Sequence, residues 1–216
     1  MTHFQMLETM AKVGAIITNS HIVYTSGRHG DSYVNKDAIY PHTSLVSQLC
    51  ETLAQHYSTA KIDAVAAPAI GGVILSQWTA YHLSKMNNRE IFSVYAEKET
   101  GTDNFVMKRG YDKLIAKKRV LILEDVLTTG GSVKKVIDIC RAIPAEVAGV
   151  AALCNRGGLA KEFFDVEDFF SLVRVDLGSW EPSECPLCAK HIPINTDVGK
   201  GREFQERNSK IPSSRV

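Results

Sequence analysis

Residues 120–133 read VLILEDVLTTGGSV, and this stretch decides the fold. Residues 120–123 are an uninterrupted aliphatic run, the pattern of a strand covered on both faces. Glu124 and Asp125 follow at the carboxyl end of that strand, then Thr128, Thr129, Gly130, Gly131 and Ser132. Val133, Val136, Ile137 and Cys140 recur at helical spacing, so the loop opens a helix. The order strand, acid pair, small-residue loop, helix belongs to a parallel α/β sheet, where ligands collect at the carboxyl ends of the strands.

The chemistry of the loop suits a phosphate. Glycines let backbone N–H groups approach closely, hydroxyls donate, and the helix N-terminus favours negative charge. Two carboxylates just before it would repel a phosphate, so they need other work; the vicinal hydroxyls of a sugar or a divalent cation carried by the ligand would supply it. The same residue types also build ordinary strand-to-helix turns with acids near helix starts. The acid pair placed after an apolar strand is what points to a ligand holding both a phosphate and a ribose.

The motif EDVLTTGGS resembles the phosphoribosyl pyrophosphate (PRPP) signature of the type I phosphoribosyltransferases, and the chain is most similar to the members that act on orotate. The resemblance implies that Glu124 and Asp125 hold the ribose hydroxyls, that Thr128, Thr129, Gly130, Gly131 and Ser132 cradle the 5-phosphate, and that Val126 and Leu127 also bind PRPP. Asp125 would also be catalytic. It implies Mg2+ as cofactor, carried in by PRPP rather than held by a protein cage, with Asp125 as the one protein contact.

Other segments extend the resemblance. Residues 25–41, TSGRHGDSYVNKDAIYP, read as a turn followed by a short strand at 32–36. They resemble a family segment that forms part of a hood over the base; Thr25 stands where many members have lysine. An exposed polar hairpin would have the same composition. Residues 62–67 are a buried-strand run ending in Pro68, Ala69, Ile70, Gly71 and Gly72, with helical character from 73 to 85. By resemblance Ala69, Ile70 and Gly71 form the pyrophosphate loop; by spacing alone they make a plain strand-to-helix turn. Residues 91–96 are a third strand, leading into EKETGTDNFVMKRGYDK, which is polar, irregular and long enough for a mobile loop. Its cations are Lys98, Lys108, Arg109 and Lys113. In the family such a loop closes over PRPP, often from the neighbouring subunit, which makes Lys98, Lys108 and Arg109 catalytic candidates and Lys98 a PRPP contact as well. Glu97 stands where many members have arginine, and no histidine lies between Glu97 and Leu114. A solvated charge run would look the same.

Residues 147–154 form another apolar strand, followed by Asn155, Arg156, Gly157 and Gly158. An arginine can grip a planar carboxylate through two parallel hydrogen bonds, which lysine cannot match. The resemblance makes Arg156 and Thr128 the orotate contacts. Pairing of Arg156 with Glu162 or Asp165 at a strand end is the alternative. Residues 169–177 read as a last strand. Then comes WEPSECPLCAKHIPI, in which Cys185 and Cys188 make a C-x-x-C and His191 offers a third metal ligand. A structural zinc site wants four ligands, and no second C-x-x-C or H-x-x-H occurs, so a packed or incidental cysteine pair stands beside the metal reading.

Further helices are expected at the N-terminus, with Leu7, Met10, Gly14 and Ile17 on one face and Thr2 as cap, and at 44–57. With strands near Ile62, Ile91, Val120, Val147 and Phe169, the pattern predicts an α/β fold: a mostly parallel central sheet with helices on both faces. The expected organisation is one phosphoribosyltransferase domain over residues 1–200, its hood drawn from about 1–40 and 178–200, and a polar, frayed tail at 201–216. The net charge of +1 excludes a polyanion such as DNA as main partner, and the longest apolar stretch, 64–75, is broken by Pro68, Gly71 and Gly72 and too short to cross a bilayer. Five cysteines and the absence of a signal-peptide pattern in residues 1–20 place the chain in a reducing cytoplasm. The function implied by the resemblance is transfer of phosphoribosyl from PRPP to orotate, giving orotidine 5-monophosphate and pyrophosphate in pyrimidine nucleotide synthesis, by a homodimer with a shared active site. Phosphoribosyl transfer to uracil or a purine, and a non-catalytic PRPP-binding regulator, are the alternatives.

Overall fold

The computed structural model describes residues 3–175 and 178–209. In chain order its elements are helix α1 (His3–Lys12), the two-residue strands β1 (Ile16–Ile17), β2 (Ile22–Val23), β3 (His29–Gly30) and β4 (Tyr33–Val34), α2 (Thr43–His56), β5 (Ala64–Pro68) and α3 (Gly71–Asn87). Then come β6 (Phe92–Lys98), β7 (Phe105–Val106), α4 (Tyr111–Ile115), β8 (Arg119–Leu127), α5 (Gly131–Ala142), β9 (Glu146–Asn155), α6 (Lys161–Phe164), β10 (Asp168–Arg174), α7 (Pro186–Ala189) and α8 (Gly201–Ser209). The chain forms two compact units: Tyr40–Val175 with the first residues of α1, and Leu7–Ile39 with the described part of Asp176–Val216.

The first unit is built on a six-stranded sheet in the order β10-β9-β8-β5-β6-β7, parallel except for β7, as the alternation of strand and helix patterns predicts. Period-two alternation sorts the strand side chains between two layers. Ala64, Ala66, Val94, Ala96, Val120, Ile122, Val150 and Ala152 pack on Val133, Val136, Ile137 and Cys140 of α5. Each aliphatic side chain so buried is worth about 1.5–3 kcal/mol. Helices α2 and α3 cover the other face, with Leu49, Leu53, Leu75 and Leu83 fully buried.

Chain order runs outward from the middle of this sheet in both directions: β5 to β6 on one side, β8 to β9 and β10 on the other. The reversal therefore falls between β5 and β8, which is where an open α/β sheet leaves a crevice at its carboxyl edge. The ladder shows the crevice opening. Pairing of β5 with β8 ends at Ala66 and Ile122, while β8 continues along β9 as far as Leu127 and Asn155.

The second unit carries two antiparallel strand pairs, β1 with β4 and β2 with β3. Isolated bridges tie His21 to Ile194 and His29 to Trp180. Helix α8 belongs to this unit, so the expected frayed tail is helical from Gly201 to Ser209.

Four further expectations change. The N-terminal helix stops at Lys12 rather than running through Gly14 and Ile17, because Gly14 takes φ +74 and turns the chain toward β1. The expected cap Thr2 lies outside the described residues. The strand expected at 32–36 is only Tyr33–Val34, followed by a 3-10 turn at Lys36–Ala38. Residues 97–113 are irregular only in part: β6 runs to Lys98, β7 returns antiparallel beside it, and α4 follows, with turns between them. Glu124 and Asp125 lie within β8 rather than after it, since β9 gives them a partner ladder.

Candidate active site

The loop between β8 and α5 is fixed by two backbone requirements. Gly130 caps α5 at φ +72, and a Cβ there would also collide with Phe163 at 2.7 Å. Gly157 presses its backbone on the loop, so that a Cβ would lie 1.8 Å from the Thr128 carbonyl oxygen. The amides of Arg156 and Gly157 both donate to the Leu127 carbonyl, at 2.8 and 3.0 Å. Buried Asn155 clips its own turn from below: its Nδ2 donates to the Leu159 carbonyl and its Oδ1 accepts from the Leu159 amide. The first helical bond of α5 runs from Lys134 to Gly130, leaving the amides of its first turn aimed along the helix axis.

These contacts shape an open cavity of about 230 Å³, lined by Glu124, Val126, Leu127, Thr128, Thr129, Gly130, Gly131, Ser132 and Val133. Every residue of the expected phosphate loop is present, and Glu124 with it. Asp125 is not. Successive strand side chains face opposite ways, and Asp125 is only 4% exposed, accepting the Tyr40 hydroxyl at 3.1 Å on Oδ2 and the Val126 amide at 2.6 Å on Oδ1. Of the two acids, Glu124 lines this cavity and Asp125 is turned toward Tyr40.

Tyr40 is a site residue that sequence reading missed. Its hydroxyl touches both Asp125 and the Gly71 carbonyl, the latter at 2.7 Å, and so links β8 to the start of α3 across the crevice. The second turn holds Ala69 and Ile70, joined by a cis peptide, before α3 begins at Gly71. The Ala69 amide is taken by the Ala96 carbonyl, and Ile70 is 84% exposed. Gly72 then lets α3 start tight against β5 and β8, since a Cβ would meet Ala67 at 2.7 Å and the Leu123 carbonyl at 2.9 Å.

Arg156 stands at the end of β9, anchored by its amide beside Thr128. Beneath it the buried Cys154 thiol is pushed up to about 11 by burial, eased by the Arg156 charge and raised further by Asp125, so all three groups share one electrostatic neighbourhood. Of its alternative partners, Asp165 is engaged by Arg141 at 3.3 Å.

Lys98, Lys108 and Arg109 are exposed and each faces an acid. Lys98 Nζ meets Asp103 Oδ1 at 2.7 Å, with the Lys98 side chain 57% exposed. Arg109 donates twice to Glu97 Oε1, at 2.9 and 2.6 Å, and Lys108 lies 3.9 Å from Glu97. Glu97 thereby holds the Arg109 guanidinium above its ordinary value, and Lys98 pulls the Asp103 carboxyl below its own. Lys135 of α5 donates to the Asp103 carbonyl at 2.6 Å, so the tip of the β6–β7 hairpin rests near the start of the phosphate-loop helix. Lys113 lies in α4.

Among the described residues, one group could hold a metal ion, and it is in the second unit: His21, His29, Cys185 and Cys188. His191 does not belong to it.

The sequence profile of the phosphoribosyl transferase domain matches residues 35–182. Orotate phosphoribosyltransferase of Chlorobaculum parvum is 33% identical over 195 residues, 90% of this chain and 95% of its own length. That of Caldanaerobacter subterraneus subsp. tengcongensis is 36% identical over 192 residues, 88% and 94% of the two chains. Among solved structures, orotate phosphoribosyltransferase from Aeropyrum pernix matches with TM-score 0.63 at 24% identity, covering 78% of this chain and 92% of that one. An adenine phosphoribosyltransferase from Thermoanaerobacter pseudethanolicus gives 0.58 at 18% identity, over 78% and 99%. The two folds match almost equally well, so fold likeness does not choose the base.

Proposed function

The chain belongs to the phosphoribosyltransferase family, related along most of its length to orotate phosphoribosyltransferases, and from that premise we propose that it transfers phosphoribosyl from PRPP to orotate, releasing pyrophosphate. The observation that carries the choice of base is the clamp at Leu127: one carbonyl holds the amides of both Arg156 and Gly157 and fixes Arg156 next to Thr128. Orotate has a carboxylate that uracil and the purines lack, and an arginine whose backbone is held at the residue preceding Thr128 is of the type that can grip a carboxylate through two parallel hydrogen bonds.

In this reading the loop from Val126 to Ser132 receives the 5-phosphate on backbone amides and hydroxyls, and Glu124 takes the ribose hydroxyls. Asp125 acts through Tyr40 on the geometry of the crevice. Ala69, Ile70 and Gly71 receive the pyrophosphate. As the bond at the anomeric carbon breaks, positive charge grows on the ribose and negative charge on the pyrophosphate, so electrostatic placement matters more than any nucleophile. Lys98, and with it Lys108 and Arg109, exchange their acid partners for the departing pyrophosphate when the hairpin closes and excludes water. The site fits magnesium in one way: a single half-buried carboxylate lining the cavity, Glu124, with no protein cage among the described residues there, suits an ion that keeps its waters and arrives on the substrate. When bound, the ion offsets the charge of the leaving pyrophosphate.

A homodimer is part of the proposal, supported by the apolar side chains of Ile70, Ile74 and Tyr81 left exposed along α3. A cytoplasmic location is supported by five unpaired cysteines; no described helix is long and apolar enough to cross a membrane.

The test is Arg156→Lys. Loss of a charged bidentate contact predicts an orotate KM raised by about 10–100-fold, with the PRPP KM little changed. Full orotate turnover at the original KM would remove the carboxylate argument.

A further inference from the structure

Four ligand-type side chains from opposite ends of the chain converge in the second unit. His21 immediately precedes β2 and His29 opens β3, while Cys185 precedes α7 and Cys188 lies within it. Their donor atoms all lie within 4.8 Å of one another. His21 Nε2 is 2.9 Å from His29 Nδ1 and 3.6 Å from each of the two thiol sulfurs, and Cys188 Sγ is 3.3 Å from His29 Nδ1. A tetrahedral zinc ion with Zn–N near 2.0–2.1 Å and Zn–S near 2.3 Å would set its ligand atoms about 3.3–3.8 Å apart. The cluster therefore already has nearly the dimensions of a coordination shell.

Hydrogen-bond accounting leads to the same place. His21 Nδ1 is 2.7 Å from the Ile192 carbonyl, which can only accept, so the proton sits on Nδ1 and the Nε2 lone pair faces the cluster. If His29 carries its proton on Nε2, two imidazole lone pairs meet at 2.9 Å with nothing between them. If it carries it on Nδ1, that N–H and two thiols compete for one acceptor. A cation at the centre satisfies all four inward-facing donor atoms at once, with both cysteines as thiolates. A backbone carbonyl holding the outer nitrogen of a ligating histidine, as Ile192 holds His21, is the usual support for such a ligand.

We propose that His21, His29, Cys185 and Cys188 form a structural zinc site. Two sulfurs and two nitrogens in a tetrahedral array select zinc over harder ions, and four protein ligands leave no open position for catalysis. The ion would join segments 159 positions apart at Cys188 and His29, reinforcing the backbone bonds that already pair His29 with Trp180 and His21 with Asn195. Closing so long a loop is costly in chain entropy, and metal binding free energy is available to offset it. The proposal does not depend on the transferase reading, because it is tested by metal content and spectrum.

The full-length protein, isolated under reducing conditions without chelator, is assayed for zinc by mass spectrometry. The expected content is about one zinc per chain, falling at least about tenfold in Cys188→Ser and unchanged in His191→Ala. Apo protein titrated with Co2+ alone is expected to show the strong visible bands of tetrahedral cobalt together with thiolate-to-cobalt charge transfer. The cobalt result decides the matter if Cys188→Ser does not fold. Wild-type protein that stays metal-free after equilibration with zinc, a Cys185–Cys188 disulfide under those conditions, a cobalt spectrum without thiolate bands, or a folded Cys188→Ser protein holding its full zinc would each overturn the assignment.

Discussion

The loop after β8 and the hairpin after β6 serve the same proposed ligand and are held in opposite ways. The phosphate loop is fixed by backbone: two amides on the Leu127 carbonyl, Gly157 in contact with Thr128, and Gly130 in a conformation that a side chain would strain. The hairpin has its own β6–β7 backbone ladder, but its cations are held by exposed side-chain pairs, Lys98 with Asp103 and Arg109 with Glu97. Exposed pairs of that kind contribute little to stability and exchange partners readily. Under the proposed function, the difference teaches that the loop would receive its phosphate preformed, whereas the cations proposed to meet the leaving pyrophosphate rest on acids beforehand.

Gly157→Ala breaks the comparison from the rigid side and has the largest expected effect. Its Cβ has no room beside the Thr128 carbonyl, so the loop must shift. Overpacking of this kind costs about 1–3 kcal/mol of stability, read as a lower denaturation midpoint. A displaced subsite loses about a hundredfold in kcat/KM. A variant with wild-type kinetics would mean that the loop is not preformed.

Lys98→Ala tests the mobile side. Turnover is expected to fall by at least about tenfold, as when one donor to a developing charge is removed, while the thermal midpoint stays unchanged. A lower midpoint with normal turnover would make Lys98 a structural residue.

Asp103→Asn should give the smallest change and the most informative one. It frees Lys98 from its resting partner but keeps the carbonyl that Lys135 binds. Turnover is expected to stay level or rise by about twofold, with a weaker dependence on salt. A loss as large as that of Lys98→Ala would show that the ion pair is part of the working arrangement rather than a place of storage.

What could be read from sequence follows the distance between interacting residues. The strand, loop and α5 are consecutive, and local periodicity with glycine and hydroxyl chemistry is enough to place them. The end of β8 was not legible, because Glu124 and Asp125 are strand residues only by virtue of their partners on β9. Nor was the division of labour between the two acids, which depends on side-chain alternation in a strand that the run of polar residues hides. The β6–β7 hairpin has the composition of a loop, and α8 that of a solvated tail; each is ordered by neighbours remote in sequence. Tyr40 carries no motif at all and matters because the crevice brings Asp125 and Gly71 to it. The cysteine pair could be seen, but the nearby His191 is not its companion: His21 and His29, over 150 positions away, complete the set through a spacing that matches no local metal pattern.

The central claim is that a preformed phosphate loop beside Arg156 commits this protein to phosphoribosyl transfer onto orotate. It is tested most directly by measuring pyrophosphate release from PRPP with orotate, uracil, hypoxanthine and adenine in turn, with and without magnesium. The account predicts magnesium-dependent release with orotate and little with the other three bases. Release with uracil or a purine equal to that with orotate, or no release with any base, would contradict it.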